Sequence, residues 1–257
     1  NTRRAIALSI SIEKITKLIY AQYSSQCRQM IANVSPLKKE FNSELQPLKV
    51  DLKQAAKLLR DSKWSDSDND GILDRVIDGR KINFEADLNY LNTSPDWRDM
   101  ALLISEELKQ IGVKINPVPM ELKLFIERAR SHNFDMMLGS WAAGSFSEDF
   151  TQLWHTSNWS NHGSNYSGFG NYLSDALIDS IRTEINMTKR DSLSKELQKI
   201  IYEDQPYVFL YTSMRRNIIH KRFANRMIFA DRPGTLINPL RLWSINPVIT
   251  LQNGTTP

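Results

Sequence analysis

Residues 81–138 read KINFEADLNYLNTSPDWRDMALLISEELKQIGVKINPVPMELKLFIERARSHNFDMML, and their periodicity decides the fold. In KINFEADLNY, Ile82, Phe84, Ala86, Leu88 and Tyr90 alternate with polar residues, the period of a strand with one buried face. After the turn NTSPD, Met100, Leu103, Ile104, Leu108 and Ile111 recur at the spacing of an amphipathic helix that Gly112 stops. A short strand (VKINPV), a helix carrying Leu122, Phe125, Ile126 and Ala129, and an apolar strand (FDMML) complete the segment. Strands alternating with helices at these lengths need right-handed crossovers, so the chain is expected to be α/β, with a mixed, largely parallel sheet covered by helices. Ligands of such sheets sit beyond the carboxyl ends of the strands, which here are the loops at 92–95 (NTSP) and 139–144 (GSWAAG).

The second of these loops opens a stretch, 134–171, crowded with indole, amide, hydroxyl and glycine. Trp141, Trp154, Trp159, Asn165, Tyr166 and Ser140 lie among Gly139, Gly144, Gly163, Gly168 and Gly170. Aromatic walls with a few polar groups on a permissive backbone suit a concave binding site, whereas tryptophans padding the core are the plainer alternative.

Outward from this centre, the opening residues read as a helix with Ala5, Leu8, Ile12 and Ile15 on one stripe. A Pro- and Lys-rich, solvent-facing connection follows at 33–50, and Asp51 caps a helix carrying Ala55, Leu58 and Leu59. On the other side, Ser174 is expected to cap a helix with Leu177, Ile178, Ile181 and Ile185. The box Thr188-x-x-Asp191 opens another with Leu193, Leu197, Ile200 and Ile201. Pro206 then starts a strand, YVFLY. Beyond Met214 the chain turns basic and irregular, which suggests a segment completing another lobe; the expected division is 1–213 and 214–257.

Composition is that of an ordinary globular chain: 257 residues, 41% apolar, 24% charged, with Lys and Arg exceeding Asp and Glu by four. No basic stripe interleaved with stacking aromatics appears, which argues against nucleic acid as a partner. The single cysteine, Cys27, forms no internal disulfide, and no apolar run approaches the ~18 residues of a membrane span. The first residues have neither an initiating Met nor the charged start and apolar block of a signal peptide, and read as a helix entered in mid-fold, so a piece of a longer protein is expected.

Two stretches carry possible chemistry. In DSDNDGILD, Asp66, Asp68, Asp70, Gly71 and Asp74 occupy positions 1, 3, 5, 6 and 9 of an EF-hand-like loop, the spacing that wraps oxygen ligands around calcium. Position 12 is Ile77 instead of a carboxylate, so a complete structural Ca2+ site needs a substitute such as Asp78; an acidic turn without metal is the alternative. None of His132, His155, His162 and His220 stands in a zinc or triad spacing. His155 and His162 fall within the aromatic loop and define a rival reading, a hydrolase using them with Glu148 or Asp149. No catalytic residue is assigned, and a calcium-stabilised interaction module is a third reading.

The blocks AAKLLRDSKWSDSDNDGILDR, SEELKQIGVKINPV, FDMMLGSW, GSNYSGFGNYLSDALIDSIRTE and YEDQPYVFLY, in this order, resemble the oligopeptide/dipeptide class of extracellular solute-binding proteins of ABC transporters, family 5. LWHTSNW, GSNYSGF and EDQPYVFL look closest to a bacterial branch of that class. The resemblance implies a type II periplasmic binding protein-like fold of two lobes. This chain would be the later, carboxyl-terminal lobe, and its last ~40 residues would return to a first lobe. It also implies no enzymatic activity, a peptide or similar small solute as ligand, ABC permease subunits as partners, and a periplasmic or extracellular location, with membrane association through an amino-terminal anchor or the permease. Ligand contact is expected from stacking on Trp141 and from Ser140, Ala142, Ala143, Gly144, Asn165 and Tyr166. The sequence departs from the class in one respect: many peptide-binding members have an Asp shortly after the strand-end Trp, holding the peptide's α-ammonium, but here Ala143, Gly144 or Ser145 stands near that position, and Glu148 or Asp149 is the substitute charge.

Overall fold

The computed structural model describes residues 1–141, 149–160, 163–212 and 220–224, and the backbone of 244–245. The chain divides into two units, one of Asn1–Ser140 with Asp149–Ser213 and one of Trp141–Glu148 with Met214–Pro257. In the second, the described elements are the short antiparallel strands β8 (Phe223–Ala224) and β9 (Ser244–Ile245).

In the first unit, the segment at 81–138 forms the expected parallel sheet. Strand β4 (Glu85–Leu91) lies between β5 (Lys114–Met120) and β6 (Met136–Leu138), and both pairings are parallel. Helix α4 (Pro95–Lys109) joins β4 to β5, capped by the Ser94 hydroxyl and opened by Pro95, the residue best suited to a first helical position. It ends where Gly112 takes a φ of +75°; a Cβ there would stand 2.8 Å from Cγ of Leu73, so both conformation and space call for glycine. Pro117 and Pro119 in β5 remove ladder donors, as tolerated on an edge strand. Helix α5 (Leu122–Arg130) joins β5 to β6, but of its expected stripe only Ala129 is buried, while Leu122 and Ile126 are exposed.

KINFEADLNY is not one strand. Residues Arg80–Asn83 form β3, which turns back antiparallel on β2 (Asp74–Ile77) through Asp78 and Gly79, both at positive φ. An Asp-Gly pair with φ above zero at both positions matches the right-handed twist of a hairpin. The chain changes partners at Phe84, whose N–H donates to the carbonyl of Leu73 and whose carbonyl accepts from Lys114. Ile82 is therefore exposed, whereas Leu88, Asn89 and Tyr90 are consecutively buried, so the middle of β4 is covered on both faces.

The opening helix is also divided, into α1 (Thr2–Ala7) and α2 (Ile12–Tyr20), because the Ser9 hydroxyl donates back to the carbonyl of Ala5 and the Ser11 side chain caps α2. Ala5, Leu8, Ile12 and Ile15 are all buried, in one core with Ala55 and Leu59 of α3 (Leu52–Asp61), Leu88, Met100, Ile104 and Leu108. Glu107 ties this core together: its buried carboxylate accepts from the Ser11 N–H at 2.6 Å and pairs with Lys14 at 3.0 Å.

A second core lies under the aromatic loop. It comprises Trp154 of α6 (Thr151–Trp154), Ile178 and Ile181 of α7 (Tyr172–Thr183), Leu197 and Ile201 of α8 (Met187–Asp204), and Phe150 and Phe169 from the loops before α6 and α7. The 33–50 connection, expected to face solvent, instead lays Val34, Phe41 and Leu45 on this core. Gln198, fully buried, holds it there: its carbonyl accepts from the Asn42 N–H and its amide donates to the carbonyl of Glu40, each at 2.9 Å. Helix α7 starts one turn earlier than Ser174 suggests, with Asn171 as cap and Ser174 closing a reciprocal capping box. Asn186 caps α8 in place of the Thr188 box. Of YVFLY, only Tyr211 continues into a paired strand, β7 (Tyr211–Thr212), antiparallel to β1 (Arg28–Gln29).

Candidate functional site

Because β4, β5 and β6 run in parallel, Leu91, Met120 and Leu138 end on the same side of the sheet. There the Asn92 N–H donates to the carbonyl of Met120, fastening the 92–94 loop across two strand ends. Gly139 and Ser140 lead off the end of β6, both exposed, followed by Trp141 with 48% of its surface exposed. Three successive exposed residues directly after the buried Leu138 form a rim. Ala142, Ala143 and Gly144, the remainder of the expected rim, lie outside the described residues, as do Glu148 and His162.

The structure gives the other expected contacts different places. Trp154 is a core residue, packed edge-on against Phe169 with centroids 5.5 Å apart and tilted against Tyr207 at 5.0 Å. Trp159 stacks face to face on His132, centroids 3.7 Å apart, with Gly168 beneath it; a Cβ on Gly168 would come within 2.6 Å of the indole. Asn165 is fully buried: its amide donates to the carbonyls of Phe169 (2.8 Å) and His155 (3.3 Å), and its carbonyl accepts from the Phe169 N–H (3.1 Å). Its side chain is thus engaged in closing the loop. Tyr166 is half-buried, and its carbonyl lies 3.3 Å from Nδ1 of His132. The other ring nitrogen of His132 is 2.7 Å from the carbonyl of Trp159. A residue on the loop after α5 therefore lies against two points of the aromatic loop.

Near the first turn of α4, Tyr20 and Tyr211 meet edge to face, centroids 5.6 Å apart, and the Tyr211 hydroxyl approaches the sulfur of Met100. Burial first, then the neighbouring Tyr20, holds the Tyr211 phenol above its ordinary value.

His155, the other histidine of the rival hydrolase reading, caps a turn: its Nδ1 accepts from the Ser157 N–H at 3.1 Å. Asp175 and Asp179 stand 3.8 and 3.9 Å from its ring, but Asp175 accepts from both the N–H and the hydroxyl of Thr156. Asp149 caps the start of α6 by accepting from the Thr151 N–H.

In the acidic turn, carboxylate oxygens of Asp66, Asp68 and Asp74 lie within 4.8 Å of one another. Asp70 bonds instead to the Ile72 N–H. Asp74 is buried, and the Ser67 N–H, then the Ser67 hydroxyl and Lys81, hold its carboxyl below the usual range against the opposing effect of burial.

A parallel α/β layer with an exposed rim at its strand ends and a separate helical core under an aromatic loop is a lobe of the type II periplasmic binding protein class. The model of the bacterial extracellular solute-binding proteins, family 5 Middle, matches residues 1–163, and the chain belongs to that family. The oligopeptide-binding protein AppA of Bacillus subtilis is 31% identical over 184 residues, 69% of this chain and 32% of AppA. The heme-binding protein A of Haemophilus influenzae is 24% identical over 80% of this chain and 35% of its own length. The chain therefore spans about a third of the length of these curated relatives. Among solved structures, B. subtilis AppA in complex with a nonapeptide superposes with a TM-score of 0.78 at 22% identity, covering 95% of this chain and 47% of AppA. An oligopeptide-binding protein of Thermus thermophilus complexed with a pentapeptide gives 0.79 at 24% identity, over 92% of this chain and 41% of its own. The family is one of extracellular solute-binding proteins, and among the described residues no helix is long and apolar enough to cross a membrane. The hydrolase and interaction-module readings find no support in these relatives.

Proposed function

We propose that this chain is a solute-binding part of an ABC importer receptor, taking peptides at the carboxyl ends of its parallel strands and delivering them to membrane permease subunits outside the cytoplasm. The observation that carries this reading is the exposed rim Gly139–Trp141 on a chain of this family. Trp141 supplies a face for stacking and Ser140 a hydroxyl for hydrogen bonding, which suits a peptide main chain with little regard to its side chains; Ala142, Ala143 and Gly144, next in the chain, are the further contacts proposed. Asn165 contributes by fixing the neighbouring loop, and Tyr166 contributes from that loop. Peptide is favoured because AppA, 31% identical to this chain, and the two solved structures compared above are described as oligopeptide-binding. The chemistry is binding and release, without turnover.

Mass spectrometry of small molecules co-purifying with the protein tests this. Peptides of mixed sequence are expected. A uniform chelate, haem or glycan would replace the ligand class, and a preparation that neither retains nor takes up peptides would refute the reading.

A further inference from the structure

The spacing of the acidic turn suits a calcium loop, but the hairpin beside it brings a cation of its own. Asp78 and Gly79 fix the β2–β3 register, pairing Asp74 with Asn83, Val76 with Lys81 and Ile77 with Arg80. Lys81 is therefore a diagonal neighbour of Asp74 on one face of the hairpin. Its ammonium lies 3.3 Å from the Asp74 carboxylate and bonds directly to that of Asp68.

The oxygens of Asp66 and Asp74 also accept from the turn itself. Asp66 accepts from the N–H groups of Asp70 and Gly71 at 3.1 and 3.0 Å, and both Asp74 oxygens accept from Ser67. A calcium ion needs about six to eight oxygens at ~2.3–2.6 Å, commonly with a bidentate carboxylate at position 12. That position, Ile77, is a strand residue paired with Arg80. Asp78, the substitute the sequence suggests, sits in the turn at the far end of the hairpin, four residues beyond Asp74 and roughly 13 Å away along an extended chain.

We propose that Lys81 is the resident cation of this acidic turn: the hairpin register seats its ammonium against Asp68 and Asp74, and the turn closes without a divalent metal. Hydrogen bonding to Asp68, then to Asp74, raises Lys81, and Lys81 in turn helps to lower Asp74.

The experiment compares the full chain with Lys81→Met and Lys81→Arg, by melting temperature in EDTA and in millimolar CaCl2 and by terbium luminescence excited through Trp64, two residues from Asp66. The wild type and Lys81→Arg are expected to melt identically with and without calcium and to give no sensitised terbium emission. Lys81→Met is expected to melt lower than the wild type, in EDTA and in calcium alike. A wild-type melting point raised by calcium, or wild-type terbium emission, would overturn the proposal. So would a Lys81→Met protein that melts like the wild type. Should Lys81→Met fail to fold, the wild-type arm still decides.

Discussion

Replacing Asn165 by aspartate changes one nitrogen to oxygen, and its consequence separates a loop-closing residue from a ligand contact. The wild-type amide donates to two carbonyls, of Phe169 and His155, and accepts from the Phe169 N–H. A protonated carboxyl group in its place would keep the acceptor and one donor, losing a single bond worth about 1 kcal/mol. Ionised, the new side chain would place a buried negative charge against two carbonyl oxygens, which raises its folded pKa; two units above the unfolded ~3.9 corresponds to roughly 2.7 kcal/mol. With the folded value raised, stability is retained below the unfolded pKa and lost as pH climbs to the folded one, then stays level. The variant should therefore be about 1 kcal/mol less stable than wild type near pH 4 and about 4 kcal/mol less stable near pH 7.5. Urea unfolding of both proteins at the two pH values measures this, with the wild type correcting for every other titrating group. A penalty that is the same at both pH values, or below about 1 kcal/mol at the higher one, would refute the assignment of Asn165 to the loop's interior.

Other expectations follow from the same geometry. Gln198→Leu leaves the Asn42 N–H and the Glu40 carbonyl without their partner, so urea unfolding should show a loss of about 3 kcal/mol, whereas Lys199→Ala, which breaks only the exposed pair with Glu44, should change stability by less than about 0.5 kcal/mol. Because the folded Asp74 carboxyl is held below its ordinary value, its contribution is present above the unfolded pKa of ~3.9 and lost as pH falls through the folded value. Acid unfolding should accordingly be shallower in Asp74→Asn than in wild type, once each is referred to its own stability at neutral pH.

Much of the fold was legible in the sequence, because a parallel sheet and its crossover helices declare themselves by period. The strands β4, β5 and β6 and helix α4 stand where alternation and 3.6-residue spacing put them. The hairpin escaped because apolar residues continue to alternate from Ile82 to Tyr90 while the backbone changes partner at Phe84; the Asp78-Gly79 pair was the signal that could have revealed it. The division after Ala7 escaped for a related reason: the buried stripe runs unbroken from Ala5 to Ile15, and only Ser9 and Ser11, both able to bond locally to the backbone, mark the interruption.

At the site, composition found the right loop but not the role of each aromatic. Trp141, Trp154 and Trp159 are equivalent as letters, yet one is on the rim, one in a core and one stacked on a histidine. That histidine, His132, lies 27 and 34 residues from the carbonyls it approaches, a separation no local pattern encodes. Lys81 was hidden in the same way, since its meeting with Asp68 depends on a turn between them.

The account rests on the rim after β6 as the place where cargo is gripped. Its most direct test is the affinity of the wild type and of Trp141→Ala for a synthetic peptide chosen from those recovered with the protein, measured by titration calorimetry alongside a melting curve for each. Loss of a stacking indole from a binding rim predicts at least a roughly tenfold weaker dissociation constant, about 1.4 kcal/mol, with both proteins folded at the temperature of the titration. Equal affinity in the two proteins would contradict the account.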